Sequence, residues 1–441
     1  MSTKKKLYPY VHPLKPVSYG LNLPEIIRGE GIYIQDTQGK VYIDGISGLW
    51  NVSMGYGNPK IREAIINQLD EIPYVNPIQH SNPTTVRFAE LLLELVPENI
   101  VNVVYTCTGS ESTELAIKIA RKYNQLRSRP HKNKIATLDL SYHGTYYGSM
   151  SISGVDRVIS EDYGPNLTGM LFLPTPVKKY PNKDNSNTLE EIEEELHNIF
   201  NREGQNIAAL IMEPVLGSGG SIPLPIEYVQ MLKEFCQEHD ILLVIDEVAT
   251  GFGRTGKMFG FEHFNIEPDL ICLSKGINNG YLPLGATLIS NKIYEAFADQ
   301  NTQIDHLSTQ NGNPLACAAG IGTLQLINDT TLLNHVTNIG EYLRSEIHHT
   351  LYDHKNYSEI RGKGLMMGIE LVKNKKSYDC LSYENISELV QIFTQKGLIV
   401  YPFYNHPRTT GIHLFPPFTL TKEEADEIVM IIKKVFNQVI F

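Results

Sequence analysis

The sequence predicts an α/β fold: a large domain on a mostly parallel seven-stranded sheet, with a smaller α+β domain drawn from both ends of the chain. Two observations lead there. Between about residues 100 and 290, short β-rich apolar runs alternate with helical patterns. Most of these runs are apolar continuously rather than alternately, as in strands covered on both faces. Beyond about residue 330 the alternation gives way to a helix, a strand, a helix, two short strands and a last helix, a pattern of the α+β kind.

The strand candidates are VNVVYTC from Val101, KIATLDL from Lys134, MLFLP from Met170, IAALIME from Ile207, ILLVIDEV from Ile241, LICLSK from Leu270 and LGATLIS from Leu284. Helical stretches lie between several of them. Residues 110–124 open on a serine and acidic residues and set Leu115, Ile119 and Tyr123 on one face; residues 227–239 do the same with Val229, Leu232 and Phe235. Residues 178–195 are polar and read as a surface excursion with a charged helix after it. The C-terminal part offers a helix at 332–351, a strand at 364–371, a helix at 384–395, strands in LIVY and GIHLF, and a helix from Thr421. Near the N-terminus, GIYIQDTQGKVYIDG is a hairpin signal with its turn at 37–39. The expected division is an N-terminal segment, 1–60, packing with the small domain; a large domain, 61–325; and the small domain, 326–441.

At 441 residues, 42% hydrophobic and 20% charged, the chain can bury a large core. A net charge of −11 argues against an electrostatic hold on nucleic acid or anionic lipid. The lysines at 4–6 read as a solvated tail. Cys107, Cys236, Cys272, Cys317 and Cys380 are scattered, odd in number and form no CxxC, so free thiols in a reducing, cytoplasmic compartment are expected. The basic N-terminus has no apolar segment behind it, so no signal peptide is expected. No apolar run approaches the roughly 18 residues of a membrane helix. There is no internal repeat and no low-complexity segment.

In open α/β sheets, ligands bind beyond the carboxyl ends of the strands. After VNVVYTC comes TGSES and then a helix. Gly109 lets backbone approach a ligand, and Ser110 adds a hydroxyl and an amide where a helix N-terminus favours phosphate; a plain N-cap backed by Glu111 or Glu114 reads equally well. After KIATLDL comes SYHG, where Tyr142 suits stacking on a planar ligand or a surface turn. Glu213 follows IAALIM and precedes a glycine-rich GSGG. Asp246 ends an apolar strand, where a buried carboxylate needs a cationic partner. Lys275 ends LICLSK, at the tip of another buried-looking strand, with Gly276 behind it. A solvated lysine leaving the core is the plain alternative. Taken together, a phosphate cradle, an aromatic plate, a buried acid and a lysine are the four features that pyridoxal phosphate needs, the lysine for a Schiff base with its aldehyde.

With those residues in hand, the chain resembles the class III, fold-type I aminotransferases. The stretches GLWNVSMGYGNP, TGSESTELAIKIAR, YHG, IMEPVLGSGG, LLVIDEVATGFGRTGKMFGFEHF, PDLICLSKGI, LPLGA and STQNGNPLACAAG carry the resemblance, and DEVxTGFGRTG followed by PDxxxxSKG is its most specific part. The resemblance implies pyridoxal 5′-phosphate as cofactor, bound covalently to Lys275, which later moves the proton. It implies that Asp246 pairs with the pyridine nitrogen, that Tyr142 and Val248 cover the two ring faces, and that Gly109 and Ser110 hold the phosphate. Thr309 matches the threonine that reaches the phosphate of the partner subunit, which makes the active unit a homodimer. Trp50, the only tryptophan, matches an entrance position in the amine:pyruvate, or ω-transaminase, group; a core tryptophan is the alternative.

The chain departs from ornithine-, acetylornithine- and GABA-type members at Thr145, where those carry arginine after YHG. Leu49–Trp50 stands where makers of diaminopelargonate carry paired tryptophans. Arg408 is the candidate for a mobile arginine that binds a keto-acid carboxylate and pairs with Glu213 when swung away; an ordinary loop arginine is the alternative. Arg361 is expected to support the small domain. The expected activity is transfer of an amino group from an amine or ω-amino acid to a keto acid such as pyruvate, by a ping-pong sequence. An aminomutase or amino-acid epimerase would use the same cofactor site. A regulatory cofactor-binding module would need an attached nucleic-acid-binding segment, for which the chain has no spare length.

Overall fold

The computed structural model describes residues 9–18, 23–155, 157–177 and 189–441. The lysine tail at 4–6 and most of the polar excursion, residues 178–188, lie outside the described residues. Strands β1 (Ile26–Glu30), β2 (Tyr33–Asp36) and β3 (Val41–Asp44) form an antiparallel meander. The turn between β2 and β3 falls where expected, and Asp36 Oδ1 closes it by accepting the amides of Gln38 and Lys40 at 2.9 Å.

The seven apolar runs all become strands of one sheet. They are β4 (Ile100–Thr106), β5 (Lys134–Leu138), β6 (Met170–Leu173) and β7 (Ile207–Met212), then, after a short hairpin of β8 (Val215–Leu216) and β9 (Ile222–Pro223), β10 (Leu242–Asp246), β11 (Leu270–Leu273) and β12 (Gly285–Ser290). The sheet order is β4-β12-β11-β10-β7-β5-β6. Only β12 runs against its neighbours; the other pairings are parallel. The carboxyl ends of β4, β5, β7, β10 and β11 therefore share one edge. Every residue of β7, β10, β11 and β12 is buried, which is why these runs carry no polar alternation. The helix Gly109–Leu126 buries the predicted Leu115, Ile119 and Tyr123, and Ile226–Glu238 buries Val229, Leu232 and Phe235.

Near the C-terminus, β13 (Tyr357–Lys363), β14 (Met366–Leu371), β16 (Tyr401–Asn405) and β17 (Thr409–Leu414) form a second antiparallel sheet, while β15 (Leu398–Ile399) pairs in parallel with β3. The single apolar run LIVY thus splits: its start joins the N-terminal strands and its end pairs with β17. Two elements escape the sequence patterns. β13 reads YSEIRGK, too polar to signal a strand, and is held by its ladder with β14. The helix Pro314–Ile327 is apolar all round and shows no one-sided stripe, because it is buried on most of its surface. Among the described residues, no helix is long and apolar enough to cross a membrane.

Arg254 ties these parts together. It is 1% exposed. Its Nη1 donates to the carbonyls of Leu365 and Pro416, and its Nη2 to the hydroxyls of Ser47 and Ser53. Burial lowers its pKa to about 9, against the pull of Asp44. A lysine offers one point charge instead of a planar fork and leaves some of these acceptors unpaired. Arg254→Lys is therefore expected to cost about 3 kcal/mol or more of stability, read as a lower urea midpoint; a midpoint equal to wild type would contradict the bridging role.

Candidate active site

The shared strand edge opens into a cavity of about 150 Å³ whose walls include Trp50, Thr108, Gly109, Ser110, Tyr142, Glu213, Asp246, Val248 and Lys275. Strand ends bring together residues from Thr108 to Lys275, and the segment after β3 adds Trp50. Thr309 and Arg408 are not among the lining residues.

At the end of β4, the helix cap is Thr108, whose hydroxyl accepts the Glu111 N–H at 3.1 Å. Ser110 is consequently not the N-cap. It sits in the first turn, where backbone N–H groups have no partner within the helix, and its hydroxyl accepts the Thr145 N–H at 3.3 Å. Backbone approach is close here. A Cβ on Gly109 would lie 2.7 Å from Val248 Cγ1. Gly144, at φ +129°, would drive a Cβ into the Ser110 side chain.

Asp246 is 3% exposed. Its Oδ1 accepts the Val248 N–H at 3.0 Å, and its Oδ2 lies 2.7 Å from His143 Nδ1. His143 Nε2 in turn lies 3.0 Å from the Thr137 hydroxyl. An ionised Asp246 accepts from Nδ1–H, which orients the imidazole and leaves both carboxylate oxygens with acceptor capacity. Sequence reasoning quoted His143 within YHG but gave it no role. The signal was present: a buried acid requires partners, and a histidine stood beside the ring already singled out.

Lys275 adopts φ +45°, a left-handed conformation rare for a side-chain-bearing residue. It keeps some surface on the cavity, and its Nζ lies 4.9 Å from the centroid of the Trp50 ring. Burial lowers its pKa, and Asp246 and Glu213 oppose that shift. Trp50 stacks on Phe415 with centroids 4.6 Å apart and is 5% exposed, so it is at once a core residue and a cavity wall. Its Nε1 has no hydrogen-bond partner among the described residues. Glu213 is held by the Tyr142 N–H at 2.9 Å on one oxygen and the Gly217 N–H at 3.0 Å on the other. Burial nevertheless pushes its carboxyl up to about 7.

The remaining candidates stand apart. Arg408 Nη2 bonds Asp139 Oδ2 at 2.5 Å, not Glu213. Thr309 is exposed on a loop, its carbonyl accepting the Tyr74 hydroxyl at 3.1 Å. Arg361 is held by Glu359, Glu370 and the Gly220 carbonyl on β13 of the C-terminal sheet.

The aminotransferase class-III family model matches residues 17–436. The chain belongs to the class III aminotransferases. An uncharacterised aminotransferase of Bacillus subtilis is 36% identical over 93% of this chain and 91% of its own length. An omega-aminotransferase of Caulobacter vibrioides is 34% identical over 93% of this chain and 92% of its own length. The solved structure of an amine transaminase from an uncultivated Pseudomonas species, in a PLP-bound form, superposes with TM-score 0.90 at 33% identity, covering 99% of this chain and 100% of that one. The fold is that of the fold-type I transferases, and the cofactor of this aminotransferase is pyridoxal 5′-phosphate. The cavity fits it. A lysine amine and a buried carboxylate face one enclosed space, and the glycines at 109 and 144 keep that space free of Cβ atoms beside a helix N-terminus.

The aminotransferase's Glu213 gives a pH signature. Its carboxyl titrates at about 7 in the folded chain against an ordinary 4.5. Between those values the folded state holds a proton that the unfolded state has released. Its contribution to stability is therefore full below about pH 4.5 and lost as pH rises to about 7, by about 3 kcal/mol in all. Urea unfolding of the cofactor-free protein beside Glu213→Gln is expected to show wild type losing ground to the variant as pH rises through this window. A constant difference would contradict the buried, protonated acid.

Proposed function

We propose that this aminotransferase moves an amino group from an amine or ω-amino acid to a keto acid such as pyruvate, in two half-reactions that alternate on one site. The observation that carries this reading is the wall of the cavity: it pairs Lys275 with the apolar face of Trp50 and includes no arginine. Thr145 stands where an arginine would meet a second carboxylate, and Arg408 is engaged by Asp139. A donor without a carboxylate beside its amine meets no missing partner there.

Pyridoxal 5′-phosphate, when bound, supplies an aldehyde that takes up amino groups and a ring that draws electrons from the neighbouring carbon. Asp246 keeps a proton at the pyridine nitrogen, and His143 fixes the orientation of Asp246. Lys275, with its pKa lowered by burial, is the base that takes the proton from the carbon bearing nitrogen and returns one. Gly109, Ser110 and the amides of the first helical turn hold the phosphate. Tyr142 and Val248 enclose the ring. Trp50 borders the entrance for the substrate, Glu213 fixes the Tyr142 backbone, and Arg408, once released from Asp139, is the candidate for a keto-acid carboxylate.

The active unit in this reading is a homodimer, with Thr309 reaching the neighbouring subunit's phosphate. What supports it is the exposure of Thr309 outside its own cavity, next to exposed apolar side chains: Leu307 is 58% exposed, and Ile78, near the Tyr74 that bonds the Thr309 carbonyl, is 72%. The same reading takes residues 61–325 as the large domain and the two ends as the small one; the β3–β15 pairing supports that division. It places the enzyme in the cytoplasm, for which the five free cysteines speak.

A panel of amines, ω-amino acids and α-amino acids against pyruvate and 2-oxoglutarate tests the reaction. Alanine is expected from pyruvate with amine donors, more readily than with ornithine. Hydrogen exchange at the donor carbon with no alanine from any donor would replace the transaminase with an isomerase on the same scaffold.

A further inference from the structure

Residues 302–308 form no regular structure, yet side chains fasten them to the base of the helix Gly109–Leu126. His306 Nε2 lies 2.9 Å from Glu111 Oε1, and both side chains are largely buried. The other Glu111 oxygen accepts the Cys107 N–H at 2.8 Å. The Cys107 thiol reaches Ser308 Oγ and Asn311 Oδ1, each at 3.4 Å. Lys118 donates to the Asp305 carbonyl. On the far side, Tyr74 holds the Thr309 carbonyl and Thr85 the Gly312 carbonyl.

A carboxylate at Glu111 is not needed to cap this helix, because Thr108 already does so. In the first turn of a helix that holds a phosphate, a free carboxylate competes for the same positive end. Glu111 is absent from the cavity wall and is spent instead on the loop. We propose that the Glu111–His306 pair is a positioning device for the neighbouring subunit's cofactor: the helix whose first turn holds one phosphate also aims the loop whose Thr309 reaches the other. This rests on Thr309 crossing between subunits, as proposed above. His306 lies three positions before Thr309, so the pair fixes the loop within one short span of the hydroxyl. Glu111 and His306 touch neither cofactor and act through the loop alone.

The test is cofactor affinity in mixed dimers. His306→Ala homodimers are expected to bind pyridoxal phosphate about tenfold more weakly than wild type, the scale of one hydrogen bond to a charged group. His306→Gln, whose amide still reaches Glu111, is expected to keep most of the affinity. Heterodimers of one Lys275→Ala and one His306→Ala subunit, isolated by two tags, have one site able to give the visible absorbance of lysine-bound cofactor. That site lies in the His306→Ala subunit and is served by the intact loop of the other. Titration of that absorbance is expected to return wild-type affinity. Affinity as weak as in the His306→Ala homodimer would overturn the proposal, since the pair would then act on its own subunit's site; so would wild-type affinity in the His306→Ala homodimer. Heterodimers of Lys275→Ala with Thr309→Ala separate the two ideas: rescue there without rescue for His306→Ala sinks the positioning role alone, while no rescue in either sinks the crossing of Thr309.

Discussion

Asp246 ends a strand in which all five residues are buried, and a carboxylate in that position is stable only with partners. Burying such a group without hydrogen-bond partners is costly. His143 on Oδ2 and the Val248 amide on Oδ1 supply those partners, and the Thr137 hydroxyl holds the imidazole from behind. The acid is thereby fixed in direction. Its fixed direction gives Lys275 an opposite pole across the cavity, and both residues owe their places to parallel neighbours, β10 and β11.

The site also stores backbone strain. Lys275, Trp50, Ser47 and Phe252 all adopt positive φ. Such conformations persist only where surrounding structure over-determines them. Here Arg254 supplies much of that surrounding structure, reaching Ser47 and Ser53 on one side and the carbonyls of Leu365 and Pro416 on the other. The small C-terminal sheet and the N-terminal strands are therefore mechanically tied to the segment that carries Trp50. A residue outside the cavity wall thus helps set the geometry above the lysine.

Much of this was legible in the sequence, and the physical reason is burial. Runs such as IAALIM and LLVID show no alternation because both faces are covered, and the polar residue that terminates each run stands out for that reason. Asp246, Glu213 and Lys275 were visible on those terms. His143 was less so, since a histidine in a turn carries no burial signal of its own. The cap at Thr108 was displaced by two positions onto Ser110, because TGSES offers three hydroxyls and only the backbone path decides among them. Arg408 and Thr309 belong to loops, where placement is set by partners distant in sequence: Asp139 bonds the Arg408 guanidinium, and the Tyr74 hydroxyl bonds the Thr309 backbone carbonyl. The polar strand β13 was silent because its stability lies in its ladder, not in its composition.

The proposed convergence of one lysine and one acid on the cofactor can be tested without substrate. Reduction of the coloured holoenzyme with borohydride makes the bond between lysine and cofactor permanent, and peptide mapping by mass spectrometry then locates it. A single modified residue, Lys275, is the expected result. Modification at a different lysine, with Lys275 unchanged, would contradict the assignment of the cavity and everything built on it.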